Sequence, residues 1–429
     1  VILDVVYNHF GPAGNYNHIY SPYFPSKRHP TEWGEAINYD GEQCEPVRSF
    51  VTSNVEYWIR EYHLDGLRLD ATHAILDDSD DHILAAISRS ARSAAEGRNV
   101  LIFAENEHQQ VCHVEPLDEG GYGMDGLWND DFHHACRVAA TGHAEFYYQD
   151  FNGSPQEILS AMRWGYLYQG QWNPRQQTYR GTPACHVAAP HFVHFLQNHD
   201  QVANSSQGLR THALTTPGRY RALTALLLLG PQTPMLFMGQ EFAASSPFLY
   251  FADHEVDIAK LVREGRWEFM RRFPRTAGYG TALGLADPSK RETFEASKLD
   301  WNETKTHAAT LQLHRELIQL RNTDPVFSRQ DKSKLDGAVI GPEAFMLRWF
   351  DDDDHDRIML VNLGRDFGWR PMTEPLLAAP RGCRWKLKWS SEAPRYGGSG
   401  TAVLNTKDWQ IPGHAAIVLE AVPASGDED

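Results

Sequence analysis

The feature that most limits how this chain can fold is a repeated pattern: an apolar run of strand length that stops in polar, chemically active residues. It occurs at Val1 to His9, which carries Asp4 and ends in Asn8 and His9, and at Leu64 to Asp70, which carries Arg68. It occurs again at Val100 to Glu105 and at Phe192 to Asp200, which ends in Asn198, His199 and Asp200. Strands buried on both faces read as near-continuous apolar runs, and parallel barrels of such strands carry their active sites at the C-terminal strand ends. One rule obeyed in separate segments points to such a barrel.

Helical patterns fill the gaps. Val55, Trp58, Ile59 and Tyr62 follow a helical period after Asn54, which is expected to be the N-cap. His82 to Ala95 is stopped by Gly97, and Arg219 to Leu229 ends at Gly230-Pro231. The strand candidates are Val1 to Tyr7, Leu64 to Asp70, Val100 to Glu105, Gly126 to Trp128, Phe192 to Gln197 and Met235 to Met238; a helix with Leu313, Leu317 and Leu320 on one face closes the set. Strand and helix in alternation signal an α/β fold, and a complete TIM barrel has eight strands. The expected architecture is a (β/α)8 TIM barrel over residues 1–325, read from about its third strand and lacking its first two.

After Pro325 the texture changes. Phe345 to Phe350, Ile358 to Leu363, the alternating Arg384 to Trp389, and Ala415 to Val422 predict a small C-terminal all-β sandwich over residues 326–429. Asp351 to Asp354 reads as a solvated hairpin turn, because the spacing and glycine of a calcium loop are missing. Val1 opens into a strand with no initiator Met, so more chain is expected upstream.

A formal net charge of −16 argues against nucleic acid or an anionic membrane as partner, but leaves a neutral substrate open. The five cysteines, Cys44, Cys112, Cys136, Cys185 and Cys383, are odd in number and scattered, which fits a reducing cytoplasm better than a disulfide framework or thiolate zinc site. No apolar run reaches membrane-spanning length.

On a strand, residues two apart share a face, so Arg68 and Asp70 point the same way. The guanidinium keeps the aspartate ionised, which suits a nucleophile and equally a structural ion pair. Glycoside hydrolysis with retention needs two carboxyls, one ionised and one protonated. Glu105 ends an apolar run with no basic neighbour before His108, so its pKa is expected to rise. Asp70 then reads as nucleophile and Glu105 as acid/base, with Asp200 holding substrate hydroxyls and His9 and His199 as hydroxyl donors. His9, His73 and His199 lack the spacing of a zinc site, so no metal is expected. Tyr7, Trp33, Tyr39, Trp128 and Phe132 could stack on sugar rings, with core packing the stronger reading for each.

Taken together, Asp4 to His9, Gly66 to His73, Glu105, and Phe195 to Asp200 resemble, in order, the four shared regions of the α-amylase clan of glycoside hydrolases. The resemblance implies a retaining double displacement, with Asp70 as nucleophile, Glu105 as acid/base, Asp200 as transition-state stabiliser, and His9, Arg68, His73, Asn198 and His199 around the substrate. Finer segments, Gly11-Pro12-Ala13-Gly14-Asn15-Tyr16, Trp33 to Asp40, Leu127 to His134, Pro247 to His254 and Ser297 to Trp301, are similar to the clan's trehalose-releasing branch. That branch cuts the α-1,4 bond next to a terminal trehalose in a maltooligosaccharide-type glucan, without a cofactor. Gln240 departs from the pattern, standing where a second acid is expected beside Glu241. A branching or debranching enzyme of the clan, or a catalytically silent truncated glucan-binding protein, is the alternative.

Overall fold

A parallel ladder carries the residues singled out above. In the computed structural model, residues 1–429 are described except 12–13, 32, 206, 272–284, 370–372, 401–408 and 425–429. Pro12 and Ala13 of the Gly11 to Tyr16 segment lie outside the described residues. The chain divides into two units, one of Val1–Asp130, Tyr168–Asn173 and Gln177–Val193, the other of Asp131–Leu167, Pro174–Gln176 and His194–Asp429.

The first unit is built on β1 (Ile2–Val5), β2 (Gly66–Leu69), β3 (Leu101–Ala104), β4 (Gly126–Trp128) and, through Phe192 and Val193, β5 (Phe192–His194), neighbours in that order and parallel throughout. Register pairs Asp4 with Arg68 and Leu69 with Ala104, and the Asp70 and Glu105 N–H groups continue the ladder to the carbonyls of Val5 and Leu69. Leu67, Leu69, Ile102 and Ala104 are fully buried, as the apolar runs require. Gly66 is fixed by close approach: a Cβ there would stand 1.9 Å from the carbonyl oxygen of Leu101.

Between β1 and β2 runs α1 (Glu45–Arg60), which buries Val47, Val51, Val55 and Ile59, an i, i+4 stripe. Asn54 is therefore not an N-cap. The buried stripe begins two turns earlier and Pro46 sits in the first turn; Asn54 lies within the helix, its Oδ1 accepting from Tyr7 Oη at 2.8 Å and Trp58 Nε1 at 3.1 Å. Between β2 and β3 runs α2 (Ile83–Ala94), capped by the His82 ring, close to the span expected.

In the second unit, α3 (Asp130–Thr141), α4 (Pro155–Trp164) and α5 (Pro217–Leu229) precede α6 (Ala308–Thr323), which buries Leu313 and Leu317. The strand expected at Met235 to Met238 is instead the short Thr233–Pro234. Met235 still donates to the His194 carbonyl, but the Phe237 N–H turns to the Gln240 side chain and the backbone bends through Gly239 at φ 81°. An antiparallel sheet follows, of β6 (Leu335–Gly341), β7 (Ala344–Trp349), β8 (Arg357–Asn362), β9 (Cys383–Ser390) and β10 (Ala415–Pro423), in the order β6-β7-β8-β10-β9. Met346, Ile358, Leu360, Trp385, Ile417 and Leu419 share a core with Trp409 and Ile411 of a separate two-stranded ladder. The Asp351 to Asp354 segment does turn between β7 and β8, but only part of it is solvated: the Asp351 side chain is 2% exposed against Arg329, and Asp352 is 81% exposed. No helix among the described residues is long and apolar enough to cross a membrane.

Candidate active site

Arg68 organises the first unit's strand ends. Its Nη1 donates to Asp4 Oδ1 at 2.7 Å and Asp70 Oδ1 at 2.8 Å, and its Nη2 to Glu105 Oε2 at 2.6 Å. The guanidinium lies 4.1 Å from the centroid of the buried Trp128 ring. Burial works against the arginine's charge, but Glu105, Asp4 and Asp70 outweigh it and raise its pKa further. The Arg68 side chain is 6% exposed while Asp70 and Glu105 remain 28% and 21% exposed, so the cation is sealed and the acids face outward.

This corrects one expectation. Glu105 does have a basic partner, because the ladder sets it beside Asp70 and one planar fork reaches both. What distinguishes the two acids is their other donors. Asn8 Nδ2 donates to the Asp70 carbonyl and to Asp70 Oδ2, each at 3.1 Å. Glu105 Oε2 also accepts the Ala71 N–H at 3.0 Å. Ala71 takes a left-handed conformation, φ 39° and ψ 54°, a strained state for a residue with a Cβ. Thr72 fastens the same turn, its N–H and hydroxyl both 2.8 Å from the Glu105 carbonyl.

The histidines fall into place around this centre. Because Asn8 spends its amide nitrogen on a carboxylate, its oxygen faces His9 Nδ1, which must carry the proton. With Nδ1 turned to Asn8, Nε2 is the His9 ring atom left for other contacts. His73 Nδ1 accepts the Glu107 N–H at 3.4 Å, which leaves Nε2 as the donor. Burial, aided by His108, holds the His73 pKa below the ordinary value against the pull of Glu107 and Asp70. The Trp33 ring lies 5.9 Å from His9 and 6.3 Å from His73, and is 48% exposed. Tyr7, Tyr39, Trp128 and Phe132 are buried core residues.

Asn198, His199 and Asp200 belong to the second unit. Asn198 caps the short helix His199–Ala203 by accepting the Gln201 N–H, and His199 Nε2 is 3.5 Å from Asp200 Oδ1 with both side chains partly exposed. Gln240 is fully buried and bonded within its own turn, so its departure from the expected acid acts on that turn. Sequence reasoning gave Asp4 no role in the centre; its register opposite Arg68 is the signal that finds it. Among the described residues, the one group whose potential ligand atoms converge is His29, Asp40 and Asp78. There Arg28 bridges the carboxylates at 3.0 and 3.1 Å, so the site already holds a cation.

Residues 332–418 match a family described as a domain of unknown function, DUF3459. The chain is 39% identical over 377 residues to a malto-oligosyltrehalose trehalohydrolase of Deinococcus radiodurans, covering 85% of this chain and 59% of that protein. It is 40% identical to one from Rhizobium sp., covering 77% and 55%. The chain thus spans less than two thirds of the length of these curated relatives. A solved structure from Salmonella typhimurium, provisionally named an alpha amylase, matches with a TM-score of 0.82 and 32% identity, over 98% of this chain and 68% of that one. The shared architecture is the α/β barrel with a C-terminal β domain that the parallel and antiparallel sheets display. From strand ends, fold and relatives alike, the chain belongs to the α-amylase family of glycoside hydrolases, and within it is similar to the malto-oligosyltrehalose trehalohydrolases.

Proposed function

We propose that this chain carries the catalytic centre of a retaining glycoside hydrolase that cleaves the α-1,4 bond next to the terminal trehalose of a maltooligosyltrehalose and releases trehalose. The observation that carries the reading is the single buried guanidinium bridging Asp4, Asp70 and Glu105 on neighbouring strand ends. Asp70, positioned by hydrogen bonds from Arg68 and Asn8, attacks the anomeric carbon. Glu105, whose Oε2 is held by Arg68 and the Ala71 N–H, gives its proton to the departing glycosidic oxygen. The covalent glycosyl-enzyme is then opened by water that Glu105 deprotonates. His73 and His9 hydrogen-bond sugar hydroxyls, while Trp33 offers a ring face for stacking. Asp200, with Asn198 and His199, steadies the distorted ring in the transition state.

In this proposal the hydrolase domain is residues 1–325 and the β-sandwich is 326–429. The substrate is a neutral maltooligosaccharide-type glucan, consistent with the acidic chain, and the five unpaired cysteines suit the cytoplasm. The test is product analysis on the complete protein. Incubation with maltooligosyltrehalose is expected to yield free trehalose; its absence, together with branching of amylose, would sink the assignment.

A further inference from the structure

The paired strands Gln171–Asn173 and Thr178–Arg180 of the first unit set Trp172 directly opposite Tyr179, their rings edge to face at 5.4 Å. Neither is a core residue. Trp172 is 52% exposed and Tyr179 72%, and large rings bared side by side mark a recognition surface. The surroundings define what is recognised: residues 169–182 contain no aspartate, glutamate or lysine, Arg180 is buried, Arg175 is half-buried beside Asp150, and the exposed polar neighbours are the amides of Gln171 and Gln177 and the Thr178 hydroxyl. Aromatic faces flanked by neutral amides suit an uncharged, hydroxyl-rich chain whose C–H faces stack and whose hydroxyls bond.

Position supplies the second argument. The Gly181 N–H, just past the strand end, donates to the His108 carbonyl at 2.8 Å, and Thr182 Oγ1 accepts the Val111 N–H at 2.9 Å. The His108 ring lies 5.2 Å from His73, which faces Trp33. The root of the two strands is therefore tied to the rim of the candidate centre.

We propose that Trp172 and Tyr179 form an outlying subsite for the glucan chain of the substrate, engaged by long chains and not by short ones. This rests on the glycoside hydrolase reading above, but its test reads binding and not turnover. Titration calorimetry on the complete protein carrying Asp70→Asn would compare maltoheptaose with maltose. Adding Trp172→Ala or Tyr179→Ala is expected to weaken maltoheptaose binding about three- to tenfold each, the worth of one stacked ring, with maltose unaffected and Trp172→Phe largely restored. Unchanged maltoheptaose affinity in natively melting variants overturns the proposal, as does an equal loss for both sugars, or a change in oligomeric state with sugar binding intact. Should the substituted proteins not fold, oxidation of Trp172 by N-bromosuccinimide in the unsubstituted protein decides, since maltoheptaose is expected to protect it and absence of protection overturns the idea. Failure to release trehalose would leave this test standing, and failure here would leave the chemistry of Asp70 and Glu105 untouched.

Discussion

Arg68 in the first unit and Arg357 in the second have side chains only 6% and 7% exposed, and both are paired with aspartate, yet the acids they hold differ. Arg357 Nε donates to Asp324 Oδ2 at 3.0 Å; that carboxylate is 1% exposed and also meets Lys388 at 3.2 Å and the Val326 N–H at 2.9 Å. Every partner of Asp324 is fixed within the fold, so the pair can only hold structure. Arg68 instead anchors Asp70 and Glu105 from below while they stay open to whatever binds at the strand ends. An identical ion pair serves chemistry or stability according to which member is left accessible.

Substitution at the open pair should destroy function and spare the fold. Asp70→Asn is expected to lower turnover by roughly a thousandfold or more, and Glu105→Gln by about 10²- to 10⁴-fold. Melting should shift little, because Arg68 keeps two other carboxylates when one is removed. Steady-state kinetics beside thermal melts checks both, and near-normal rates would refute the role assigned to that acid.

The closed pair should show the reverse. Asp324→Asn leaves Arg357 buried without its counter-charge and is expected to cost about 3 to 5 kcal/mol in denaturant unfolding, with kcat nearly unchanged. Burial opposes ionisation of Asp324, but Arg357, the Val326 N–H and Lys388 outweigh it and bring its pKa below the ordinary value. A depressed folded pKa means the contribution is complete above the unfolded value and disappears as pH falls through the folded one. Stability is therefore expected to drop below about pH 4, and that acid slope should flatten in the variant. An unaltered slope would show that other carboxylates govern acid unfolding.

The same contrast explains what the sequence disclosed. The ends of β1, β2 and β3 were legible because a parallel strand buried on both faces leaves an unbroken apolar run, and chemistry can start only where the run stops. Glu105's partnership with Arg68 was not legible: it depends on which strands lie side by side, and no local pattern encodes register. Asn54 is a related case, since an Asn before an apolar period looks like a cap unless the Val47 and Val51 turns are credited to the same helix. The strand β6 has no legible run because Gly337 and Gly341 interrupt its pattern, while β7, β8, β9 and β10 show the expected runs.

A smaller effect is expected at the rim. Trp33→Ala removes an exposed ring between His9 and His73 that no core contact requires. KM should rise about three- to tenfold with kcat within about twofold, the signature of lost uniform binding. A fall in kcat at constant KM would instead tie Trp33 to the transition state.

The smallest effect is expected at Ala71, where the two kinds of region meet in one residue: a strained backbone that positions a catalytic group. Ala71→Gly relieves a left-handed conformation costing about 1 to 2 kcal/mol, while the freer unfolded chain offsets about 0.4 to 1 kcal/mol of the gain. Stability in denaturant should therefore rise by no more than about 1.6 kcal/mol. Because Thr72 still fastens the turn to the Glu105 carbonyl, the N–H at position 71 should keep its aim at Oε2 and turnover should fall less than about tenfold. A much larger loss with unchanged melting would show that the side chain at position 71, and not the backbone conformation alone, holds Glu105 in place.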